Sequence, residues 1–175
     1  MAATKKLSLL LALVSLSAAL LQLASCNEEQ DAAESIVVQG MIYCQSCKCR
    51  GTRSLASAIP LPGAKVSIQC RDHKGRVGFY MVLTADKGGY AIGELKGPFF
   101  QKIAHHNMKP GASCTARLIY SPKPDCAVVS NMVNSGMDGC HLQYSKTISY
   151  KGHKADLYDF GPLAFRPANC GPQFH

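Results

Sequence analysis

The fold of this chain is decided by the stretch Ile36-Val37-Val38-Gln39-Gly40-Met41-Ile42-Tyr43-Cys44-Gln45-Ser46-Cys47-Lys48-Cys49. Its first part is rich in residues that favour β-strands. Three cysteines follow within six residues, at the end of this predicted strand. These thiols could be a redox pair, part of a zinc site, or the N-terminal anchor of a set of disulfides.

The N terminus has the layout of a cleaved signal peptide. Lys5 and Lys6 precede an uncharged apolar block, 7–23, and small residues follow before Cys26. We predict a signal peptide over 1–26, and therefore a secreted protein with no stable membrane insertion after signal removal. The alternatives are a membrane anchor and a bacterial lipoprotein cysteine at Cys26.

The number of cysteines favours disulfides once the signal peptide is removed. The chain has nine cysteines, an odd number, and cleavage after Cys26 leaves an even set. In an oxidising compartment an even set spread over a domain predicts bridges. Spacing alone leaves the pairing open.

Charge is unevenly distributed along the chain. The formal net charge is +8, yet an acidic spacer over 27–35 contains no Lys or Arg, so the domain that follows, 36–175, is strongly basic. That domain is long enough to bury a core. A basic extracellular domain favours polyanionic partners such as acidic polysaccharide, with solubility as the alternative explanation. The acids of the spacer are Glu28, Glu29, Asp31 and Glu34.

Short apolar or alternating runs, separated by Gly and Pro, predict strands rather than helices. The run 64–70 is an example, since its small and apolar residues alternate with polar ones. Six or seven short strands predict an all-β fold, either an antiparallel β-sandwich or a partly closed barrel. The predicted strands are 36–43, 64–70, 79–84, 90–92, 114–120, 143–149 and 157–165.

Two short motifs narrow this fold class. Leu61-Pro62-Gly63-Ala64 and the later Gly88-Gly89-Tyr90 resemble the strand pair of transthyretin-like sandwich modules. The glycines permit positive φ in the turn, and the tyrosine ring can cover the end of the sandwich. We therefore expect a transthyretin-like sandwich.

A resemblance to a known family covers nearly all of the predicted domain. Gln39-Gly40-Met41-Ile42-Tyr43-Cys44-Gln45-Ser46-Cys47 is similar to the opening of the pollen Ole e I and extensin-like family. This family comprises secreted plant proteins, including pollen allergens and the cysteine-rich domains of proline-rich arabinogalactan proteins. The likeness continues through Pro62-Gly63-Ala64, Cys70, Gly89-Tyr90, Cys114, Pro124-x-Cys126 and Gly161-Pro162-Leu163-Ala164-Phe165 to Cys170.

The resemblance implies a disulfide pairing. It joins Cys44 to Cys126, Cys47 to Cys170, and Cys70 to Cys114. Cys49 and Cys140 lie outside this six-cysteine set, and we predict that they form a fourth bridge.

Other chemistries of the cysteine cluster fit the sequence less well. A redox role for Cys44 and Cys47 needs a thioredoxin-like βαβ setting, whereas this pair follows a strand and precedes a Gly- and Ser-containing loop. A zinc site would add Cys49 with His105 or His106, but the Cys-x-x-Cys spacing is not repeated. We predict no metal and no cofactor.

No recognised catalytic arrangement occurs in the sequence. The chain has no Gly-x-Ser-x-Gly motif and no paired carboxylates in a cleft-like pattern. We therefore predict a protein that is not an enzyme.

Two basic and aromatic stretches are the candidate binding sites. Arginine and lysine pair with uronate carboxylates, and tyrosine faces stack on sugar rings. Solvated hairpin loops are the alternative for both stretches. The candidate polysaccharide-binding residues are Arg71, Lys74, Arg76 and Tyr80 in the first stretch, and Tyr144, Tyr150 and Lys151 in the second.

The predicted function follows from export, charge and family resemblance. We expect a non-enzymatic protein of the plant extracellular matrix or cell wall that binds acidic or galactan-type polysaccharide, such as pectin or galactan. The alternative is a secreted signalling or interaction protein with a protein partner in pollen, pistil or root development. Nucleic acid is not an expected partner. The chain departs from the family in lacking an Asn-x-Ser/Thr sequon and a His- or Pro-rich tract before the domain.

Overall fold

The computed structural model describes residues 35–100 and 109–171. The predicted signal peptide and nearly all of the acidic spacer lie outside these residues, so both stay predictions. Ten strands form two sheets. They are β1 (Ser35–Cys44), β2 (Ile59–Pro60), β3 (Lys65–Arg71), β4 (Val77–Thr84), β5 (Tyr90–Leu95), β6 (Cys114–Tyr120), β7 (Cys140–His141), β8 (Gln143–Tyr150), β9 (His153–Asp159) and β10 (Leu163–Phe165).

The first sheet is built around β1. The beginning of β1 lies between antiparallel β5 and parallel β9, and β8 forms the edge beyond β9. The last residues of β1 lie between antiparallel β2 and parallel β10. The strand that opens the family-like stretch is therefore the central strand of its sheet, which agrees with its nearly continuous apolar sequence.

The second sheet is antiparallel throughout, with the order β4-β3-β6-β7. Strand β3 alternates as predicted, with Val66, Ile68 and Cys70 buried in the core. Cys70 pairs directly with Cys114 on β6, and a bulge follows between Cys70 and Arg71. This bulge changes the direction of the chain as it enters the β3–β4 turn.

The core lies between the two sheets. Val38 and Ile42 of β1 face Val66 and Ile68 of β3, and all four side chains are fully buried. Gly40 makes room for the ring of Phe160, since a Cβ at this position would overlap that ring. A β-strand alternates its side chains between faces, so the spacing of these residues in β1 and β3 produces the shared core.

The structure confirms the predicted fold class. It is a disulfide-linked β-sandwich rich in antiparallel pairs, and the described residues do not close into a barrel. Three differences concern detail. The two-residue strands β2 and β7 were not predicted. Strand β1 pairs in parallel with β9 and β10, and the last predicted strand is split at 160–162, where Gly161 has a φ of +65°. A positive φ is outside the β region, so the strand stops there.

Three disulfides follow the pairing that the resemblance implied. Cys44 is bonded to Cys126, Cys47 to Cys170, and Cys70 to Cys114. Each bridge joins segments that are far apart in sequence, by 82, 123 and 44 residues respectively. The bridges therefore restrict the unfolded chain strongly.

The predicted Cys49–Cys140 bridge is wrong, because both cysteines are free thiols. Cys49 lies in the loop after β1, with its Sγ 3.5 Å from the Ala56 carbonyl oxygen. Cys140 is buried on β7 at the edge of the second sheet, where its thiol donates to the Phe160 carbonyl at 3.0 Å. The two sulfurs are held by different segments of the fold, and neither is directed to the other.

The sandwich has two distinguishable ends. We call the end at which β1 finishes the closed end: it carries the loop 45–58, and two of the disulfides are formed there by Cys44 and Cys47. The open end is where β1 begins, and it carries the β3–β4 and β8–β9 turns. Strand register places the β8–β9 turn there, since Ser35 lies opposite Ala155. Packing of Phe79 on Phe100, just after β5, places the β3–β4 turn at the same end.

No helix within 35–100 and 109–171 is long and apolar enough to cross a membrane.

Candidate functional site

A basic cleft of about 470 Å³ opens beside the β3–β4 turn at the open end. Its volume lies in the range of roughly 300–1,000 Å³ that is typical of ligand sites. Its walls come from the start of that turn, from a one-turn helix (Pro110–Ser113), and from β6 and β7. The lining residues are Arg71, Asp72, Lys109, Ala112, Ser113, Thr115 and His141.

The Cys70–Cys114 disulfide holds the cleft together. Its Cα atoms are 4.0 Å apart, because the two cysteines face each other on adjacent antiparallel strands. Arg71 follows one cysteine in the chain, and Ser113 and Thr115 flank the other. The bridge thus fixes the two halves of the cleft relative to each other.

The charge of Asp72 is neutralised within its own turn. The carboxylate accepts hydrogen bonds from the backbone N–H groups of Lys74 and Arg76, and it forms an ion pair with the Arg76 guanidinium at 2.8 Å. The Arg76 side-chain hydrogen bond is the main cause that lowers the pKa of Asp72 to about 2. Asp72 therefore shapes the turn and cancels little of the positive charge of the cleft.

Two cations of the cleft are positioned by neighbouring backbone. The Arg71 guanidinium donates from Nη1 to the Gly75 carbonyl at 2.8 Å, which uses one of its five N–H donors. Lys109 precedes the short helix, whose Ala112 N–H and Ser113 hydroxyl both donate to the Lys109 carbonyl. An arginine and a lysine at one cleft form a site suited to carboxylate groups.

A row of side chains leads from the cleft across the second sheet to Tyr80. Register places Gln69 between Tyr80 and Thr115, and His141 opposite Thr115. These residues share the outer face, and the Tyr80 side chain is 53% exposed. With strands about 4.8 Å apart, the row is about 14 Å long. The site is therefore elongated, as the binding of a chain-like ligand requires.

The structure brings together part of the first predicted stretch. Arg71 lies in the cleft and Tyr80 at the end of the row, while Lys74 and Arg76 lie in the adjoining turn, where Arg76 is engaged by Asp72. The second predicted stretch lies on strand β8 and its turn, and none of its predicted residues lines the cleft.

The aromatic faces of the second stretch have partners within the protein. The Tyr144 ring packs edge-on against Tyr158 with centroids 5.7 Å apart. The Lys151 ammonium lies 5.1 Å from the centroid of the Tyr150 ring. These contacts stabilise the β8–β9 hairpin, so binding of sugar by Tyr144, Tyr150 and Lys151 stays a prediction.

Sequence reasoning missed Lys109, Gln69, Thr115 and His141. They come together only through strand register, which the sequence pattern does not specify. One signal was available: the implied pairing of Cys70 with Cys114 already places Arg71 beside Thr115.

The disulfides decide between the alternatives for the cysteine cluster. Cys44 and Cys47 are bonded to distant cysteines rather than to each other. They are therefore neither a Cys-x-x-Cys redox pair nor two thiolate ligands for zinc. Within the described residues, no three His, Cys, Asp or Glu side chains are grouped as metal ligands; His105 and His106 lie outside those residues.

No family model matches the chain. It is 30% identical over 138 residues to non-classical arabinogalactan protein 30 of Arabidopsis thaliana, covering 75% of this chain and 53% of that protein. It is 27% identical over 145 residues to the pistil-specific extensin-like protein of Nicotiana tabacum, covering 78% of this chain and 31% of that protein. The chain thus spans about half or less of the length of these curated relatives.

A solved structure shares the fold. The major plantain pollen allergen Pla l 1 superposes with a TM-score of 0.56 at 20% identity, covering 80% of this chain and 99% of the allergen. At this identity the similarity concerns the fold.

The fold and the site together define a disulfide-linked β-sandwich domain with a basic cleft. The comparisons confirm the resemblance to the pollen Ole e I and extensin-like family. The chain is thus similar in sequence to plant arabinogalactan and extensin-like proteins, and similar in fold to a pollen allergen.

Proposed function

We propose that this domain is a secreted protein of the plant extracellular matrix that binds an acidic cell-wall polysaccharide, such as pectin, at the Arg71 cleft. The supporting observation is that Arg71 and Lys109 share a cleft whose one carboxylate, Asp72, is already bonded within its turn. Uronate groups supply the complementary charge. Export is supported by the predicted signal peptide and the three disulfides.

Sugar rings would lie along the row toward Tyr80. An exposed tyrosine offers a flat apolar face with a polar tip, which suits a ring that has both apolar and hydroxyl-bearing surfaces. Gln69 and Thr115 add hydrogen-bonding groups between the ring and the cleft. A neutral galactan would use this row without the cations, so its binding would depend less on salt.

The proposed activity is binding without catalysis. Ser113 and His141 both line the cleft, but the Ser113 hydroxyl donates to the Lys109 carbonyl at 3.2 Å. A serine nucleophile would instead donate to its base. Asp72 is held in the turn, so it is not available as a general base in the cleft.

Binding of a protein partner is the second candidate function, and one observation favours it. The outer face of the second sheet also exposes Val82 (42%), Ile119 (44%) and Tyr120 (50%). An exposed apolar group of this kind is typical of interaction surfaces.

Calorimetric titration with a short oligogalacturonate, and with a neutral galactan oligosaccharide of equal length, tests the proposal. We expect salt-sensitive binding of the oligogalacturonate, and weakening by about tenfold or more in Arg71→Gln and in Lys109→Gln, since each loses a charged hydrogen bond. Lys87→Gln is the matched control: it removes one exposed charge from the closed end and should bind like the wild type. Equal affinity of all four proteins would refute the Arg71 cleft, and no binding of either glycan would favour a protein partner.

A further inference from the structure

A second cavity of about 440 Å³ lies between the loop after β1, at the closed end, and the loop that precedes β7. Three separate segments form it: the loop after β1, the loop 131–135, and Pro162 between β9 and β10. Its lining residues are Arg53, Leu55, Asn131, Met132, Val133, Asn134, Ser135 and Pro162.

The backbone on either side of Arg53 is held by the buried side-chain amide of Gln45. Gln45 is 1% exposed, and its Nε2 donates to the carbonyls of Thr52 and Ser54, the residues on either side of Arg53, at 3.0 and 2.8 Å. Gln45 itself lies between the disulfide-bonded Cys44 and Cys47. The backbone that carries the guanidinium is therefore fixed before any ligand arrives, which lowers the entropic cost of binding.

The guanidinium of Arg53 keeps its charge available. Among the residues that the structure describes, the ion pairs involve other cations, and no carboxylate lies at ion-pair distance from Arg53. The acid of the neighbouring loop, Asp138, is bonded to the Asn131 amide at 2.6 Å. An arginine without an acidic partner in a concave site is suited to a carboxylate ligand.

The opposite wall is a strained loop fixed from within. Asn134 and Ser135 are consecutive residues with φ values of +51° and +54°. Non-glycine residues in this region store strain that the surrounding structure must offset, and such residues cluster at functional sites. The Asn131 Oδ1 accepts the N–H groups of Met137 and Asp138, and the Asn134 amide donates to the Phe160 carbonyl at 2.9 Å.

The remaining lining indicates what kind of acid would fit. Leu55, Met132 and Pro162 supply apolar surface, while Ser135 and the Asn134 Oδ1 supply hydrogen-bonding groups. A small inorganic anion would leave the apolar walls unused. A carboxylated sugar unit has a carboxylate for Arg53, hydroxyls for the polar wall and a ring face for the apolar wall.

We infer that the Arg53 cavity is a second binding site for a uronate unit, so that one domain bridges two acidic polysaccharide chains. The choice of ligand class rests on the function proposed for the Arg71 cleft, whereas the existence of the cavity does not. Since the two cavities share no lining residue, each can hold its own short oligosaccharide.

The first test counts the short oligogalacturonates bound per domain by calorimetry. We expect two for the wild type and one for Arg53→Gln, whose second site weakens by about tenfold to a hundredfold. Arg50→Gln is the matched control, because it removes the same charge from the same loop but Arg50 does not line the cavity; it should bind two. Arg71→Gln should also bind one, at the Arg53 cavity.

Bridging is tested by the turbidity of long-chain polygalacturonate. Wild type and Arg50→Gln should raise the turbidity, whereas Arg53→Gln should bind the polymer without doing so. The inference would be overturned by one oligogalacturonate per wild-type domain that is still bound by Arg53→Gln, or by two per Arg53→Gln domain. If Arg53→Gln abolishes oligogalacturonate binding and Arg71→Gln leaves it unchanged, the Arg53 cavity stands as a binding site and the Arg71 cleft is refuted. Equal binding of a polyglutamate peptide at the Arg53 cavity would overturn the assignment to a glycan.

Discussion

At the closed end of the sandwich the turn between β4 and β5 is packed against backbone, whereas at the open end the β3–β4 and β8–β9 turns extend away from it. Gly89 illustrates the first case: its φ is +78°, and a Cβ there would lie 2.9 Å from the Ile42 carbonyl oxygen. Gly75 and Gly152 illustrate the second, since a Cβ at either would meet no described atom within 4 Å. All three glycines have positive φ, but of the three only Gly89 also lacks space for a side chain.

The disulfides follow the same division. Cys44 and Cys47 anchor the closed end to Cys126 and to Cys170 near the C terminus. The open end has the Cys70–Cys114 bridge, which joins two adjacent strands directly beneath the cleft. The closed end therefore ties distant segments of the chain together, whereas the open end presents exposed turns beside a braced cleft.

The largest effect is expected from removal of the longest covalent loop. Cys47→Ser with Cys170→Ser should lower the free energy of unfolding by about 4–5 kcal/mol, because the bridge spans 123 residues and its loss frees the unfolded chain. Urea unfolding measures this. Cys49→Ser, in the same segment but free, is the control and should change stability by less than about 0.5 kcal/mol. Equal effects would remove the distinction between anchoring and free cysteines.

Two glycine-to-alanine variants separate the cost of an unfavourable backbone φ from the cost of steric overlap with neighbouring atoms. Gly89→Ala should destabilise the fold by about 2 kcal/mol or more, because the methyl group adds a clash with backbone to an unfavourable φ. Gly152→Ala has the unfavourable φ alone and should cost about 1 kcal/mol. Thermal unfolding of the two variants compares the ends directly. A Gly152→Ala variant less stable than Gly89→Ala would show that the turn at Gly89 is not the more tightly packed of the two.

A smaller, pH-dependent effect is expected in the β3–β4 turn. The pKa of Asp72 is lowered from 3.8 to about 2, mainly by the hydrogen bond from the Arg76 side chain. A lowered folded-state pKa gives stability that is present above about pH 4 and is lost as the pH falls through about 2. Asp72→Asn should thus be less stable than wild type near neutral pH, and the difference should shrink below about pH 4. A difference that stays constant down to pH 2 in urea titrations would show that the carboxylate charge plays no part.

The two free thiols, Cys49 and Cys140, should differ in their reactivity toward an alkylating reagent. Labelling of Cys49 should leave the stability of the fold unchanged. The Ser46 and Ser54 hydroxyls lower the pKa of the Cys49 thiol, while burial raises the pKa of the Cys140 thiol. Iodoacetamide should label Cys49 in the folded protein and label Cys140 only after unfolding. Mass mapping without reduction locates the label. Recovery of a peptide linking Cys49 to Cys140 would contradict the structure.

The fold was predictable because its signals are local. The alternation in 64–70 and the apolar run of 36–43 specify strands, and Gly89 specifies a turn. The split between β9 and β10 was missed, since Gly161 in an apolar run does not reveal its positive φ. The Cys49–Cys140 prediction failed because an even number of cysteines does not require that each be paired.

The site was only partly predictable because it depends on long-range register. Arg71 and Tyr80 were found from charge and aromatic content in one hairpin. Lys109 and His141 join them from distant parts of the chain, and the Arg53 cavity is assembled by three separate loops. Composition also selected Tyr144 and Tyr150, whose ring contacts became visible only in the folded protein.

Backbone amide mapping by NMR during titration with a short oligogalacturonate would show directly whether the ligand binds at the Arg71 cleft and the Arg53 cavity. We expect amide shifts in the open-end segments 71–76 and 109–115 and at His141, with a second group in the segments 52–55 and 131–135 that line the Arg53 cavity. Shifts confined to the β8–β9 hairpin, 144–151, with none around Arg71, would contradict it.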